Sequence, residues 1–183
     1  MAKNIETPSS DHVEIGPLKE SDIEQFEPIL MAHVRDRSTG EILTSEIDEI
    51  KGYMRGAEDE EGRIRKYLVA RDRSGIILGC MAYAVPDLDM IKHFQPENPN
   101  EVIELLNAFV SPEVFRGGGV GRKLLKAVVE AGKRSGKKLL VINSGPRYRK
   151  SWGFYDKFAE QSGFIKNKYG EGGDAMTWKI AIQ

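Results

Sequence analysis

Short apolar runs, each bounded by turn-forming residues, recur along the 183 residues of the chain. Their length and their content of Val, Ile and aromatic side chains are typical of β-strands. The pattern predicts seven strands, placed at residues 12–18, 66–71, 76–85, 102–110, 137–143, around Ile165 and at 175–182. The run at 102–110 reads VIELLNAFV and predicts a buried strand, which is expected to end before Pro112 because proline cannot continue a central ladder.

Apolar residues spaced three and four positions apart predict four helices. They are placed at residues 21–34, 44–54, after the glycines at 117–121, and at 151–161, where Gly163 is expected to end the last one. Pro28 lies inside the first helical pattern and predicts a kink or a break between two helices. Residues 86–100 are polar and interrupted by prolines, so they are predicted to form a long irregular connection.

Length and composition describe one ordinary globular domain. The chain is long enough to bury a single core, and neither a repeat nor a long linker divides it. The domain is expected to cover residues 12–183, after a flexible N-terminal segment at 1–11. That segment lacks the apolar core of a signal peptide, and the longest apolar runs are too short to span a membrane, so a cytoplasmic location is expected.

Cysteine and histidine usage argues against a metal or disulfide site. The single cysteine, Cys80, excludes an internal disulfide and falls in an apolar run, where a buried thiol is expected. The three histidines, His12, His33 and His93, are isolated and lack the spacing of metal ligands. The sequence therefore predicts no metal site.

Charge is distributed unevenly between the two halves of the chain. Residues 1–100 hold 12 Lys and Arg against 20 Asp and Glu, whereas residues 101–183 hold 15 against 8. A basic half around a glycine-rich loop suits a polyphosphate ligand, and an acidic half suits a cationic co-substrate, although solvated surface charge gives the same counts. A sequence pI near 6.3 and the lack of a basic, aromatic stripe argue against nucleic acid as a partner.

The segment RGGGVGR at 116–122 lies between the predicted strand 102–110 and a predicted helix. Glycines let backbone N–H groups approach a phosphate closely, and a helix N-terminus adds partial positive charge. The spacing excludes a P-loop, because no Lys-Ser/Thr pair follows the glycines. It also excludes the dinucleotide fingerprint Gly-x-Gly-x-x-Gly, because the third glycine position is Arg122.

The spacing Arg-x-x-Gly-x-Gly, formed by Arg116, Gly119 and Gly121, resembles the acetyl-CoA loop of the GNAT superfamily of N-acetyltransferases. In that family a strand ending in an apolar residue, a proline-containing turn and an aromatic residue precede the loop. Val110, Pro112 and Phe115 occupy those places here. The resemblance is clearest over residues 66–165.

The resemblance implies a single α/β domain with a mixed, mostly antiparallel sheet flanked by helices, in the order β-α-α-β-β-β-α-β-α-β-β. It also implies that the central strand and the next strand splay apart to admit acetyl-CoA, the co-substrate. The backbone near Phe109 and Val110 would pair with the pantetheine arm, and one N–H there would polarise the thioester carbonyl. The residues expected to bind the pyrophosphate are Arg116, Gly117, Gly118, Gly119, Val120, Gly121 and Arg122.

Glu104 is the candidate general base, because a carboxylate inside an apolar strand is costly to place without a purpose. Burial would raise its pKa toward neutrality, which suits a base. Some protein-lysine-acetylating GNAT enzymes have a glutamate six residues before the valine that closes the strand, as Glu104 stands before Val110. A position at an exposed strand end, or a pairing with a lysine, stays open. Glu101, nearer the polar loop, is a weaker candidate.

Tyr155 is the candidate general acid for the departing thiolate, although its position departs from the family pattern. The family places a tyrosine four residues before a Gly-Phe pair, and counting back from Gly163 reaches Ala159 instead. Tyr155 lies one helical turn earlier, so a packing role for it, or Tyr148 as the acid, stays open. Asn143 is expected either to contact CoA or to cap the turn that follows its strand.

The predicted activity is acetyl transfer from acetyl-CoA to a primary amine by direct attack. The acceptor is a small molecule or a protein amine, and the acyl length and a homodimer are left open. Neither nucleic acid nor membrane is expected as a partner. The alternative is a non-catalytic GNAT-fold module that binds CoA as a sensor, in which Glu104 would be dispensable.

Overall fold

The computed structural model describes residues 12–114 and 118–183. The N-terminal segment predicted to be flexible lies outside the described residues, as do Phe115, Arg116 and Gly117 of the glycine loop. The strands are β1 (Glu14–Pro17), β2 (Lys66–Arg71), β3 (Ile77–Ala84), β4 (Val102–Val110), β5 (Leu139–Ser144), β6 (Glu160–Ile165) and β7 (Ala175–Ala181). The α-helices are α1 (Glu27–His33), α2 (Thr44–Met54), α3 (Leu88–Phe94), α4 (Val120–Arg134) and α5 (Trp152–Phe158).

The seven strands form one sheet in the order β1-β2-β3-β4-β5-β7-β6. Every neighbouring pair is antiparallel except β4 and β5, which run parallel. The parallel pair requires a crossover, and α4 supplies it. The single α/β domain with a mixed, mostly antiparallel sheet is therefore confirmed.

Hydrophobic residues cover both faces of this sheet. One cluster packs α1 and α2 on one face, with Phe26, Leu30 and Ile50 among its buried members. The other packs α4 and α5 on the opposite face, around Leu124 and Trp178. The strand β4 lies in the middle of the sheet and contributes to both clusters, as its apolar sequence predicts.

The first helical pattern divides at the position that Pro28 indicates. A 3₁₀ helix covers Glu20–Phe26, and α1 follows it with Pro28 in its first turn. Proline lacks a backbone N–H and is tolerated there because those N–H groups have no intrahelical partner. The predicted break between two helices is confirmed.

The prediction of an irregular connection at residues 86–100 is wrong for its middle part, where α3 lies. Asp87 caps α3 by accepting a hydrogen bond from the Met90 backbone N–H at 2.8 Å. Met90 is fully buried against Val102 and Val141, so tertiary packing stabilises a helix that is too short to form by itself. A single buried residue in seven gives too weak a periodicity to be recognised in the sequence.

The prediction of a helix at 151–161 ended by Gly163 is also wrong in part. The helix α5 ends at Phe158, and the following residues form β6, an edge strand paired with β7. Gly163 lies within that strand at a register shift and has φ of 92°. The strand is mostly exposed and lacks the alternation of apolar residues that marks a buried strand.

Within the described ranges, no helix is both long and apolar enough to cross a membrane. No group of three or more His, Cys, Asp or Glu side chains in those ranges is placed to hold a metal ion. Cys80 is fully buried in the sheet, in agreement with its apolar sequence context.

Candidate active site

A large cleft opens where β4 and β5 separate. Their parallel pairing joins Val102–Leu105 to 139–142 and goes no further, while β4 continues to Val110 beside β3. The cleft, of about 2080 Å³, is lined there by residues 104–110 of β4 and 143–145 at the end of β5. Its volume exceeds the 300–1,000 Å³ that is typical of one small-molecule site, so it has room for a co-substrate and an acceptor.

A bulge in β4 coincides with this separation. The register between β3 and β4 shifts between Cys80 and Ala82, and Asn107 has a positive φ of 41°. The Asn107 side chain accepts hydrogen bonds from Arg65 at 2.5 Å and from the Tyr67 hydroxyl at 2.9 Å. Bulges re-aim the strand that contains them, and these two bonds stabilise an otherwise unfavourable backbone conformation.

Beyond the bulge, the backbone of Val110 faces the open side of β4. The Ser111 N–H donates to the Leu78 carbonyl, and Val110 lies opposite Gly79. In an antiparallel ladder this makes Val110 a non-hydrogen-bonded position, whose N–H and C=O point away from β3. The His33 ring meets the Val110 carbonyl from α1 at 2.7 Å, and Phe109 is buried beneath the cleft.

Glu104 is fully buried, and both of its carboxylate oxygens are hydrogen-bonded. Its Oε2 accepts from the Asp87 backbone N–H at 2.9 Å and from the Arg63 guanidinium at 3.0 Å. Its Oε1 accepts from the Asn143 side-chain amide at 2.6 Å. The alternatives of an exposed strand end and of a lysine partner are both wrong, because the charged partner is Arg63.

Burial raises the pKa of Glu104 to about 7, and the nearby Asp87 carboxylate acts in the same direction. The Asp87 N–H bond and the charges of Arg63 and Lys168 oppose this increase. A carboxyl group with a pKa near neutrality exchanges protons readily at neutral pH, as a general base must. The expected direction of the pKa change is confirmed.

Tyr155 lies on α5, where it lines the cleft and also belongs to the core. Its ring is 5.1 Å from Trp178 and 5.3 Å from Phe154 between centroids, and only 6% of the residue is exposed. Burial raises its pKa well above the usual range, so its hydroxyl stays protonated at neutral pH. Tyr155 therefore both packs in the core and lines the cleft.

Tyr148, the other tyrosine considered as the acid, lines the same cleft from a 3₁₀ helix at Pro146–Ser151. Its ring lies 6.4 Å from that of Phe109 in an edge-on contact, and burial raises its pKa. Asn143 also lines the cleft, and its side chain bonds to Glu104 and Tyr169. Between the described residues, the Asn143 side chain makes no bond that caps the turn after β5, which was one of its two expected roles.

The described part of the glycine loop leads directly into α4. Gly119 is the N-cap, with φ of 73°, and an added Cβ there would meet no atom of the described residues within 4 Å. Val120 is buried beneath the loop, and the Lys123 N–H closes the first turn on the Gly119 carbonyl at 2.9 Å. Gly121 packs against Phe154, because a Cβ there would lie 3.3 Å from its ring.

This geometry fits a phosphate group at the start of α4. The first backbone N–H groups of a helix have no intrahelical partners, and none of the described residues fills the space beside Gly119 through which a ligand would approach them. Arg122 in the first turn adds positive charge and lies over the Phe158 ring at 5.8 Å. Gly118 precedes this turn, while Arg116 and Gly117 lie outside the described residues.

Sequence reasoning missed several residues that surround Glu104. Arg63 and Arg65 precede β2 and share the Asp59 carboxylate, at 2.9 and 3.4 Å. Lys168 and Tyr169 come from the hairpin that joins β6 to β7. None of these residues belongs to a motif, and each is far from Glu104 in the sequence, so only the fold could bring them together.

Comparisons with known proteins agree with this geometry. The family model for the acetyltransferase (GNAT) family matches residues 16–159, which is most of the chain. The chain therefore belongs to the acetyltransferase (GNAT) family, and the resemblance seen in the sequence is confirmed. No curated protein sequence matches it significantly.

Solved structures of other acetyltransferases share the fold. An N-acetyltransferase from Staphylococcus aureus Mu50 is 16% identical, with a TM-score of 0.64 over 94% of this chain and 100% of that chain. The protein yncA from Salmonella typhimurium, solved with its cofactor acetyl-CoA, is 17% identical, with a TM-score of 0.65 over 94% and 95%.

A ribosomal-protein-alanine N-acetyltransferase from Brucella melitensis is 21% identical, with a TM-score of 0.61 over 92% of this chain and 99% of that chain. At these identities the structural likeness shows the fold alone.

Proposed function

We propose that this protein is an N-acetyltransferase that moves an acetyl group from acetyl-CoA to a primary amine by direct attack. The observation that supports this most strongly is Glu104, a fully buried carboxyl group with a pKa of about 7 beside the gap between β4 and β5. A buried carboxylate is costly, and its raised pKa matches the work of a base at neutral pH.

In this proposal each part of the cleft has a separate role. The start of α4, from Gly118 to Arg122, holds the pyrophosphate of acetyl-CoA, which supplies the activated acetyl group. The Val110 N–H, on the open side of β4, stabilises the negative charge that develops on the thioester oxygen. A preorganised donor of this kind contributes about 2.7–4 kcal/mol to transition-state stabilisation in other acyl-transfer enzymes.

Glu104 takes a proton from the ammonium group of the acceptor, which frees the nitrogen lone pair for attack on the thioester carbon. The bond between that carbon and the CoA sulfur then breaks, and the sulfur leaves with the bonding electron pair. Tyr155 is the proposed general acid, because its hydroxyl remains protonated at neutral pH and can give its proton to the departing sulfur. The nitrogen then loses its second proton to solvent, and Tyr155 takes a proton back from solvent, so that the products are a neutral amide and the CoA thiol.

The experiment that tests this proposal has two stages. Calorimetric titration of the purified protein with acetyl-CoA, CoA and ATP is expected to show saturable binding of the two CoA forms and not of ATP. Release of free thiol is then measured with acetyl-CoA and a panel of small amines, lysine peptides and peptide N-termini. Binding without thiol release on any amine would favour a non-catalytic CoA sensor, and no binding would contradict both functions.

A further inference from the structure

The hairpin between β6 and β7, residues 166–174, reaches back to Glu104 through two adjacent side chains. Lys168 is largely buried and forms an ion pair with the Asp87 carboxylate at 2.5 Å. The backbone N–H of Asp87 donates to Oε2 of Glu104 at 2.9 Å. Tyr169 donates its hydroxyl hydrogen to Oδ1 of Asn143, whose amide donates to Oε1 of Glu104. Each carboxylate oxygen of Glu104 is thus connected to the hairpin through one bridging residue, Asp87 or Asn143.

The Tyr169 hydroxyl bears on the orientation of the Asn143 amide. An amide side chain has a donor end and an acceptor end, and the two ends stabilise opposite protonation states of a carboxyl group. With the Tyr169 hydroxyl donating to Oδ1, the Nδ2 end faces Glu104 and stabilises the ionised carboxylate. With the amide turned round, Oδ1 would face Glu104 and would favour the protonated carboxyl group.

The Tyr169 ring packs against Gly145, and this contact holds its hydroxyl in place. An added Cβ on Gly145 would be only 2.6 Å from ring atom Cδ2. Gly145 follows β5 directly, two residues after Asn143. More than half of Tyr169 is nevertheless exposed, and it lines the cleft. Tyr169 therefore contacts Asn143 and is also accessible from the cleft.

We propose that Tyr169 is a positioning residue, which fixes the Asn143 amide so that it donates to Glu104 and keeps that carboxylate ready to accept a proton. A role for Tyr169 in catalysis rests on the proposed function, whereas its effect on Asn143 and Glu104 does not. The other charged groups that face Glu104 are Arg63, Asp87 and Lys168, and they are left unchanged in the test.

The test follows the titration of Glu104 directly by NMR, using protein labelled with ¹³C at the side-chain carboxyl carbon of glutamate. The resonance of Glu104 is assigned by its absence in Glu104→Gln. We expect a midpoint near pH 7 in the wild type. We expect Tyr169→Phe to move it upward by about one pH unit, because a hydrogen bond to the charged form is lost or reversed.

Two further variants make the test specific. Gly145→Ala keeps the hydroxyl but displaces the ring, and its backbone φ of −78° is open to alanine, so it should raise the midpoint in the same direction. Tyr83→Phe removes a phenol hydroxyl from the opposite face of the sheet, since Tyr83 pairs with Leu105, and it should leave the midpoint unchanged.

A wild-type midpoint in folded Tyr169→Phe would overturn the inference. If that variant does not fold, as judged by circular dichroism and thermal melting, Gly145→Ala decides in the same way. The titration needs no acceptor amine, so it is independent of the proposed function. Acetyl transfer with an unshifted Glu104 would refute only this inference, whereas a shifted midpoint without transfer to any amine would refute only the proposed function.

Discussion

Glu104 is costly to the fold and is also the proposed general base. A carboxylate on a central strand loses its hydration, and three hydrogen bonds from Arg63, Asp87 and Asn143 offset only part of that loss. The remaining cost appears as a raised pKa, which is the property that a base at neutral pH requires.

Replacing Glu104 tests its role as the base. We expect Glu104→Gln to lower the rate of acetyl transfer at pH 7 by about a hundredfold or more, with acetyl-CoA affinity retained, because general-base catalysis typically contributes 10²–10⁴-fold. The measurements are thiol release and calorimetry. Glu101→Gln is the matched control, since Glu101 is partly exposed and paired with Lys138, and its rate should be that of the wild type. Wild-type turnover by Glu104→Gln at every pH would remove it as the base.

The rate should also depend on pH with a defined sign. Glu104 acts as a base only when ionised, so the wild-type rate should fall as the pH decreases below about 7. The measurement is the pH profile of kcat with one acceptor amine. A rate that stays constant from pH 8 to pH 5 would contradict the assignment.

A substitution at Tyr155 can distinguish a packing role from a catalytic role. Tyr155→Phe keeps the ring that contacts Trp178 and removes only the hydroxyl. We expect the melting temperature to change little and kcat to fall by about a hundredfold or more, because general acid–base catalysis typically contributes 10²–10⁴-fold. Tyr148→Phe is the comparison, because it removes the other hydroxyl considered as the acid. An unchanged kcat in Tyr155→Phe would leave Tyr155 with packing alone.

At the scale of elements, a glycine lies at each end of α4, and the two glycines have similar backbone conformations. Gly119 precedes the helix with φ of 73°, and Gly136 follows it with φ of 69°. A Cβ at either position would meet no atom within 4 Å in the part of the chain that the structure describes. Both positions therefore require the left-handed backbone conformation that favours glycine, but only Gly119 adjoins the proposed phosphate site.

This pair of glycines gives an internally controlled prediction. Gly119→Val and Gly136→Val should each cost about 1–2 kcal/mol of stability, because both force a β-branched residue into the left-handed region. Only Gly119→Val is expected to weaken acetyl-CoA binding, by tenfold or more, since its side chain would occupy the space beside the helix N-terminus. Calorimetry and thermal melting distinguish the two effects. Equal acetyl-CoA affinities in the two variants would place the cradle elsewhere.

The short helix α3 links the element scale to the site. It covers Val102 and Val141 through Met90, and its cap residue Asp87 gives its own N–H to Glu104. His93 in its last turn contacts the Ser162 carbonyl and the Thr177 hydroxyl, each at 3.0 Å. A segment that the sequence marks only as polar thus anchors one oxygen of the proposed base.

For the whole molecule, the raised pKa of Glu104 makes stability depend on pH. Its pKa rises from the ordinary 4.5 to about 7 on folding, so the folded state binds the proton more tightly than the unfolded state. The stability that this proton confers is fully present below pH 4.5 and is lost as the pH rises through 7. The loss amounts to about 3 kcal/mol.

Comparison with Glu104→Gln isolates this contribution, because every other group titrates in both proteins. We expect the variant to gain stability relative to the wild type between pH 4.5 and pH 8, by about 3 kcal/mol, or roughly 10 °C in Tm. Thermal melting at the two pH values measures it, and Glu101→Gln should show no such trend. A difference between wild type and Glu104→Gln that does not vary with pH would contradict the buried, raised pKa.

The sequence by itself determined the family, the central strand and the candidate base. Each depends on local patterns: a run of apolar residues in 102–110, a glycine spacing after it, and a charge where burial is costly. The same local logic failed for α3 and β6, whose residues are polar or exposed and whose stability comes from distant packing partners. Only the tertiary structure brought Arg63, Asp87, Asn143 and Tyr169 around Glu104, because hydrogen bonds between residues 17 to 41 positions apart leave no periodicity in the chain.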